Sequence, residues 1–366
     1  MYITIQKKDL GTYAHMAARF SAKQHTTLPA LGSIVIVAGA DGIRFRATNL
    51  EIGIDCTVPG EIRSEGVVAV PSKIFEEFIS SLGGEGTVTL ERKGEVLSVN
   101  SGKVRSTLKT VPYEDFPTLP FPPKGADSLT LPAATFKGLV DAVLPSASVS
   151  TVRPELASVY LYTEGGMMTA VATDSFRLAE KRASIANARD FSALIPAKNA
   201  GDLVSALRDD ADVTLASAEH QLALYQGGTV VTTRVVSASY PDYRQIIPKE
   251  SVASATILRK DFEQALKKIS VFADAFQKVR VSFETKKKIF SLFAKNPDVG
   301  EATEDIPAAL TGEQAEVSFN FRYLQGALPA LSAESIVITA SGTGRATTVR
   351  GVGDSSFLYI VMPMNQ

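Results

Sequence analysis

Two periodicities of apolar residues alternate along the chain. The run from Gly42 to Val58 alternates apolar and polar side chains in the manner of half-buried β-strands. Other stretches carry apolar residues at helical spacing, which predicts amphipathic helices with one buried stripe. One such stripe is Phe262, Leu266, Ile269 and Ala273. Many short strands with few helices predict an α+β fold.

The same order of elements occurs three times. Each unit opens with a short strand, a polar step and an amphipathic helix, and a second helix follows about halfway along it. The first helices carry an apolar residue at the same place, at a constant interval of 126 residues: Leu10, Phe136 and Phe262. The second helices end at Leu82, Leu207 and Leu331. A repeat this long is a whole domain and not a solenoid unit. We predict three similar domains, at 1–124, 125–252 and 253–366.

Charge and composition narrow the possible functions. The 366 residues include 38 Lys and Arg against 39 Asp and Glu, for a net charge of −1. This excludes a nucleic-acid binder that is basic over its whole surface, but it allows basic residues gathered on one face. The single cysteine, Cys56, is typical of a reducing compartment, and no apolar run is long enough to span a membrane. We expect a cytoplasmic protein without a signal peptide or membrane contact.

Catalytic and cofactor motifs do not emerge from the sequence. The histidines His15, His25 and His220 lack metal-ligand spacing, and no phosphate-binding loop or nucleophile elbow occurs. The glycine-rich stretch 342–345 lies between two β-rich runs and is typical of a hairpin turn. Acidic clusters at 208–212 and 301–305 are best interpreted as solvated loops. We therefore predict no catalytic residue, no metal and no cofactor.

Basic residues recur on the polar faces of the predicted helices. The first helix carries His15, Arg19 and Lys23 at intervals of four, so they lie on one side. The third unit repeats this with Lys260, Lys267, Lys268 and Lys278, and the second helices begin near Lys73, Lys198 and Arg322. Any one of these residues alone is more simply a solvated surface charge. Together they favour a common polyanion, and the scarcity of aromatic residues beside them favours duplex DNA over single strands.

Several motifs, in this order and spacing, resemble the bacterial sliding clamps, the β subunits of the replicative DNA polymerase III. The similarity covers essentially the whole chain, and no one motif is specific by itself. The motifs are Thr27-Leu28-Pro29, Ala47 to Gly53, Phe116 to Pro120, Ala172 to Ala179, Tyr240 to Arg244 with Pro248, Phe319 to Leu324, and Tyr359 to Met364.

The resemblance implies a DNA-clamp fold and a non-catalytic role. In such clamps two subunits join head to tail in a ring of six similar domains, with helices inside and sheets outside, and the ring holds the polymerase on duplex DNA. Matching positions predict that Arg19, Lys23, His25, Lys73 and Lys198 face the DNA. They also predict a dimer contact between Leu108 of one subunit and Val271 and Phe272 of the other.

The resemblance also implies a groove that binds short linear motifs of partner proteins. The expected partners are the catalytic subunit of the polymerase, the clamp loader and repair proteins. Leu, Ile, Pro and Met make an apolar slot that can adapt to several peptides. The matching positions are Leu156, Thr173, Ser175, Phe176, Arg177, Leu178, Pro241, Ile246, Ile360, Val361, Met362, Pro363 and Met364, with Arg153 beside them.

Two departures from the family pattern lie near this groove. The family usually has Gly-His where this chain has Ser175-Phe176, and Arg-Leu where it has Asn365-Gln366. These changes motivate an alternative function, that of a clamp-like paralogue acting mainly as a partner-binding scaffold, either an accessory or a resistance copy. A primed-template processivity assay separates the two hypotheses.

Overall fold

The computed structural model describes residues 1–23, 28–125, 128–186, 189–342 and 344–364. The chain divides into two compact units. The first comprises residues 1–136 and 198–235, and the second comprises residues 137–197 and 236–366.

In its described residues, the first sequence repeat forms two helices and nine strands. The helices are α1 (Lys7–Ala18) and α2 (Ser72–Ser81). The strands are β1 (Tyr2–Gln6), β2 (Ser33–Gly39), β3 (Gly42–Thr48), β4 (Ile52–Val58), β5 (Glu61–Ser64), β6 (Gly66–Pro71), β7 (Thr87–Lys93), β8 (Val96–Ser101) and β9 (Val104–Lys109).

In its described residues, the second repeat has the same order of elements but lacks a counterpart of β5. Its helices are α3 (Ala133–Val143) and α4 (Ala197–Ser205). Its strands are β10 (Leu129–Pro132), β11 (Ser158–Glu164), β12 (Met167–Thr173), β13 (Arg177–Ser184), β14 (Ser192–Pro196), β15 (Asp212–Ala218), β16 (Gln221–Gln226) and β17 (Thr229–Arg234).

The third repeat completes the set. Its helices are α5 (Arg259–Ile269) and α6 (Phe321–Gln325). Its strands are β18 (Ala253–Leu258), β19 (Lys278–Glu284), β20 (Ile289–Asn296), β21 (Gly300–Pro307), β22 (Ala309–Gly312), β23 (Ala315–Asn320), β24 (Ser335–Ala340), β25 (Thr347–Gly351) and β26 (Phe357–Val361). Short 3₁₀ turns lie at Pro29–Gly32, Leu144–Ser146, Tyr243–Ile246, Ser270–Phe272 and Leu328–Ala330.

Most of the predicted elements are confirmed. Leu10, Phe136 and Phe262 are all buried, as the repeat requires. Burying one such side chain stabilises the fold by about 1.5–3 kcal/mol, so these stripes hold the helices to the sheets. The strands that flank the glycine-rich stretch, β24 and β25, pair antiparallel, which confirms the hairpin; Thr343 itself lies outside the described residues.

Three details of the prediction are wrong. Helix α5 ends at Ile269 and a 3₁₀ turn follows, so Ala273 is not part of its stripe. Helix α6 has only five residues. The acidic cluster at 301–305 is not a loop but lies within strand β21, where neighbouring residues alternate between the two faces, so Glu301 and Asp305 lie on one face and Glu304 on the other.

Each unit contains two antiparallel sheets. In the first unit the strand orders are β5-β1-β7-β8-β9 and β10-β15-β16-β17-β4-β3-β2-β6. In the second unit they are β14-β11-β12-β13-β26-β25-β24-β18-β22 and β21-β20-β19-β23. The two largest sheets join sequence repeats: β17 pairs with β4, and β26 pairs with β13. In both cases the last strand of one repeat pairs with the fourth strand of the repeat before it.

The chain leaves each repeat in the same way. The backbone N–H of Val111 donates to the carbonyl oxygen of Ala69, that of Val236 to Leu194, and that of Met364 to Ser318, with N···O distances of 3.0, 2.9 and 2.8 Å. The three acceptors lie on β6, β14 and β23, which are equivalent strands. The internal repeat therefore extends to the connecting segments. In the described part of the chain, no helix is long and apolar enough to cross a membrane.

Candidate functional site

A tight turn between β12 and β13 positions several of the predicted groove residues. The Asp174 carboxylate accepts hydrogen bonds from the backbone N–H groups of Phe176 and Arg177, both at 2.9 Å. The Thr173 hydroxyl donates to the carbonyl oxygen of Arg177 at 2.6 Å. Ser175 is held at φ 76°, a left-handed conformation that costs a non-glycine residue about 1 kcal/mol.

The first repeat contains the same turn. Asn49 accepts from the N–H groups of Glu51 and Ile52, and Leu50 has φ 76°. The turn is thus part of the repeating architecture. Its tip carries different side chains in each repeat.

The tip in the second repeat joins three segments of the second unit. Phe176 is 58% exposed and stacks on the Tyr323 ring of α6, with centroids 6.2 Å apart. The Arg177 guanidinium lies over the same ring and pairs with Asp174 at 3.0 Å. The backbone N–H of Met362 donates to the carbonyl oxygen of Phe176 at 2.8 Å. These contacts hold the C-terminal segment against the turn.

An apolar cluster lies beside this turn. Leu178 and Ile360 face each other across the β13–β26 pairing and are both buried. Met362 and Ile247 pack against them as half-buried residues. Other members of the cluster are Tyr162, Val171, Tyr243, Ala346 and Leu358, with Tyr160 and Tyr240 packed against it.

The cluster opens to solvent through a cavity of about 570 Å³. Met362 and the half-exposed Ile246 line its apolar side. Residues 245–250, Ser341, Arg345 and Ala346 complete its lining. An apolar floor with a flexible Met side chain and a polar rim suits an extended peptide with hydrophobic anchors.

A polar network fixes the segment 240–244 beside this cluster. The Tyr243 hydroxyl donates to the buried Glu180 carboxylate, and its oxygen lies 2.7 Å from the Tyr162 hydroxyl. Arg182 pairs with the other oxygen of Glu180 at 2.8 Å. Burial, followed by the bond to Glu180, raises the pKa of Tyr243, so its hydroxyl stays protonated as a donor. From the segment 240–244, the sequence prediction selected only Pro241 as a groove residue and missed Tyr240 and Tyr243.

The other predicted groove residues occupy varied positions. Leu156 and Thr173 are buried, and Ser175 and Pro241 are exposed. Pro363 and Met364 are half-buried, and Arg153 is an exposed residue paired with Glu155. Val361 is fully buried, and its side chain lies on the opposite face of β26 from that of Ile360, because neighbouring strand residues alternate.

Ion pairs change the interpretation of the predicted basic face. Arg19 pairs with Asp202 at 2.8 Å, and Lys198 pairs with Glu51 at 2.5 Å. Lys23 and Lys73 are exposed, and His25 lies outside the described residues. Two of the predicted phosphate ligands therefore already have carboxylate partners, which lowers the positive field they offer.

Of the predicted dimer residues, Leu108 lies on an outer strand of its sheet, and Val271 and Phe272 lie in a turn. Leu108 is a half-buried residue of β9, the last strand of the five-stranded sheet. Val271 is 65% exposed, in the 3₁₀ turn after α5. The ring of the adjacent Phe272 lies close to Gly300 at the start of β21: a Cβ added to Gly300 would lie 3.8 Å from the Phe272 Cε1 atom. Strand β21 is the outer strand of the four-stranded sheet.

The chain contains three copies of one α+β repeat, and sheets continue from each copy to the next. This arrangement defines a protein of the DNA-clamp fold class. Family models bear this out along nearly the whole chain. Residues 1–120 match the N-terminal domain of the DNA polymerase III beta subunit, residues 130–242 its central domain and residues 244–365 its C-terminal domain. The chain belongs to the DNA polymerase III beta subunit family.

Individual relatives agree with this assignment. The beta sliding clamp of Synechococcus elongatus is 26% identical over 100% of this chain and 99% of its own length. The crystal structure of the DNA polymerase sliding clamp from Bacillus subtilis has 25% identity, a TM-score of 0.93 and coverage of 100% and 99% of the two chains. A Pseudomonas aeruginosa sliding clamp bound to griselimycin shares the fold at 24% identity, with a TM-score of 0.93 and full coverage of both chains.

Proposed function

We propose that this chain forms a ring-shaped homodimer that encircles duplex DNA and holds a polymerase on it. The single observation that carries this proposal is the repeated sheet joint. Strand β17 pairs with β4 and β26 pairs with β13, each antiparallel. Two counterparts of these strands remain, β21 of the third repeat and β9 of the first, and both are outermost in their sheets.

Pairing of β9 of one copy with β21 of another would repeat the same joint a third time. Two copies related by a twofold axis would then form two such joints and close into a ring. Unpaired edge strands invite strand addition, which supplies backbone hydrogen bonds as a driving force. The predicted contacts of Leu108 with Val271 and Phe272 lie on these same strands or beside them. The domain boundaries at 124 and 252 are part of this proposal.

The proposed ring binds DNA without reading its sequence. We place five cations on the DNA-facing surface: the exposed Lys23, Lys73 and Lys198, together with Arg19 and His25. Contacts of this kind go to phosphates, so their strength falls with salt and the ring remains able to slide. The pairing of Arg19 and Lys198 with carboxylates weakens the hold on DNA further.

The groove of Leu178, Ile246, Ile360 and Met362 is proposed to bind the short motifs of a polymerase, a clamp loader and repair proteins. Its apolar floor supports this assignment, and so does the binding of griselimycin by a clamp of this fold. The protein has no catalytic step in this scheme, and we place it in the cytoplasm, where replication occurs. We expect Ile246→Ala and Met362→Ala each to weaken a motif peptide about tenfold, since each removes about 1–2 kcal/mol of apolar packing.

A primed-template assay tests the function directly. The chain is added to a primed single-stranded circle with the polymerase and clamp loader of its own organism. We expect full-length products in one binding event, and only short products without the chain. The alternative of a partner-binding scaffold predicts peptide binding with no increase in product length.

A second readout tests the ring itself. After loading on a nicked circular plasmid, the chain should co-elute with the DNA in gel filtration and dissociate when the plasmid is cut once. Retention on linear DNA would contradict encirclement. The variant Leu108→Asp serves as the control that binds peptides but cannot close the ring.

A further inference from the structure

One position can be matched between the three repeats through the pairing of equivalent strands. Val35 of β2 pairs with Ala69, Tyr160 of β11 pairs with Leu194, and Arg280 of β19 pairs with Ser318. Each of these partners is also the residue whose carbonyl accepts the N–H of the departing segment. Val35, Tyr160 and Arg280 therefore occupy equivalent positions.

In the second repeat, a segment of the chain covers this position. Tyr240 stacks on Tyr160, with ring centroids 4.8 Å apart and planes at 20°. Three residues further on, the Tyr243 hydroxyl lies 2.7 Å from that of Tyr162. The covering segment thus uses two aromatic residues, with Asp242 between them.

The first repeat has a similar segment. It runs from Val111, which is bound to Ala69, to Pro120, whose carbonyl oxygen accepts from the Thr232 hydroxyl at 3.1 Å. Leu119 packs closely against Gly53, because its Cδ2 atom would lie only 2.8 Å from a Cβ added to that glycine. Both covering segments share the pattern aromatic–x–Asp–aromatic: Tyr113-Glu114-Asp115-Phe116 and Tyr240-Pro241-Asp242-Tyr243.

The equivalent face of the third repeat presents an accessible cavity of about 540 Å³. Its wall includes Arg280, whose side chain is 43% exposed and whose guanidinium stands 4.4 Å over the Phe293 ring. Lys278 and the exposed Lys295 lie on either side. Asp274 and Glu316 also line it. Glu316 lies 3.6 Å from Arg280, and Glu301 lies 2.9 Å from Lys295. Both are exposed ion pairs, which are weak, so a carboxylate of a bound segment can compete for these cations.

We propose that this face binds an extended segment of a partner protein that carries an aromatic residue and an acidic residue two positions apart. The aromatic ring would stack on the Arg280 guanidinium, as Tyr240 stacks on Tyr160, with added cation–π attraction. The acidic residue would pair with Lys278 or Lys295. The second repeat shows this stacking within the chain, and the lysines of the third repeat set the charge of the occupant.

The chemistry of the lining favours such a partner over other occupants. The residues after Met364, Asn365 and Gln366, are neither aromatic nor acidic and lie outside the described part of the chain. The cavity is lined by β19, β20, β23 and nearby loop residues, while the proposed ring joint uses β21. It is also separate in its lining from the groove of Ile246 and Met362.

A peptide titration tests this inference. The probe is a fluorescein-labelled peptide with the sequence of residues 111–121, VPYEDFPTLPF, and binding to the full chain is followed by fluorescence anisotropy. We expect saturable binding with a dissociation constant below about 1 mM, which is the weak end of specific recognition. Arg280→Gln and Lys295→Gln should each lower the affinity at least fivefold, and so should replacing both acids of the peptide by amides.

Two controls separate this face from other sites. Lys286→Gln removes an exposed lysine from the β19–β20 turn and should leave the affinity unchanged. The double variant Ile246→Ala, Met362→Ala should also leave it unchanged while weakening the clamp-motif peptide. Absence of saturable binding would overturn the inference, and so would binding that depends on the groove variant and not on Arg280. Product length in the processivity assay is an independent readout, so failure here does not imply failure of the ring.

Discussion

The backbone N–H of Met362 lies 2.8 Å from the carbonyl oxygen of Phe176, so the C-terminal segment is tied to the turn between β12 and β13. Phe176 and Tyr323 form a stacked pair of rings at this turn, beside the proposed groove. The hydrogen bonds that hold the turn come from Thr173 and Asp174, so they do not depend on the side chains of Ser175 and Phe176.

Ser175→Gly should stabilise the protein by up to about 0.5 kcal/mol. Glycine adopts φ 76° without the steric cost that serine pays there, although its freer unfolded state offsets part of the gain. Thermal unfolding at fixed pH measures the difference. Ser184→Gly in strand β13 is the matched control and should destabilise. A lower melting temperature for Ser175→Gly would show that the serine makes a compensating contact.

Leu108→Asp should convert a dimer into a monomer. A carboxylate on β9 would be placed in the proposed joint with β21, where it would be desolvated without a partner. Light scattering should give twice 39.0 kDa for the parent chain and 39.0 kDa for the variant. Val352→Asp, at another exposed apolar position, is the control that should remain dimeric. A dimeric Leu108→Asp would exclude this joint.

Lys73→Ala should weaken DNA binding more than Lys198→Ala does. Both lysines are exposed, but the Lys198 ammonium already lies 2.5 Å from Glu51. Removing one lysine–phosphate ion pair should reduce the slope of log affinity against log salt by about 0.9. Anisotropy titrations of a short duplex at several KCl concentrations measure the slope. Lys286→Ala should leave it unchanged, and equal effects for Lys73 and Lys198 would contradict the ion-pair argument.

Cys56 should resist thiol reagents in the native state. Its side chain is buried on β4, and burial raises the pKa of the thiol to about 12. At pH 8 we expect labelling by a disulfide reagent to be at least about 10³-fold slower than in denaturant, since it requires opening of the core. The exposed variant Ser184→Cys should label at once. Fast labelling of Cys56 would show local opening of β4.

The same raised pKa has a consequence for stability. The folded state holds the thiol proton more tightly than the unfolded chain does. The resulting contribution to the free energy of unfolding is present in full at neutral pH. It is lost as the pH rises from about 9 through 12. Cys56→Ala should remove this part of the alkaline loss of stability.

The sequence alone determined the repeat, the type of most main elements and many of the buried positions, because periodicity and turn chemistry are local properties. Leu10, Phe136 and Phe262 illustrate this, since their equivalence follows from spacing and their burial from helical phase. The groove residues came from motif matches, and Leu178, Ile360 and Met362 do meet in one cluster.

Only the tertiary structure decided which of these residues meet and which charges are already paired. Arg19 and Asp202 are 183 positions apart, and Tyr243 reaches Glu180 across 63. The strand joints β4–β17 and β13–β26, and the cationic face of Arg280 and Lys295, depend in the same way on register between distant segments. Such contacts are chosen by the packing free energy of the whole chain, which no local pattern encodes.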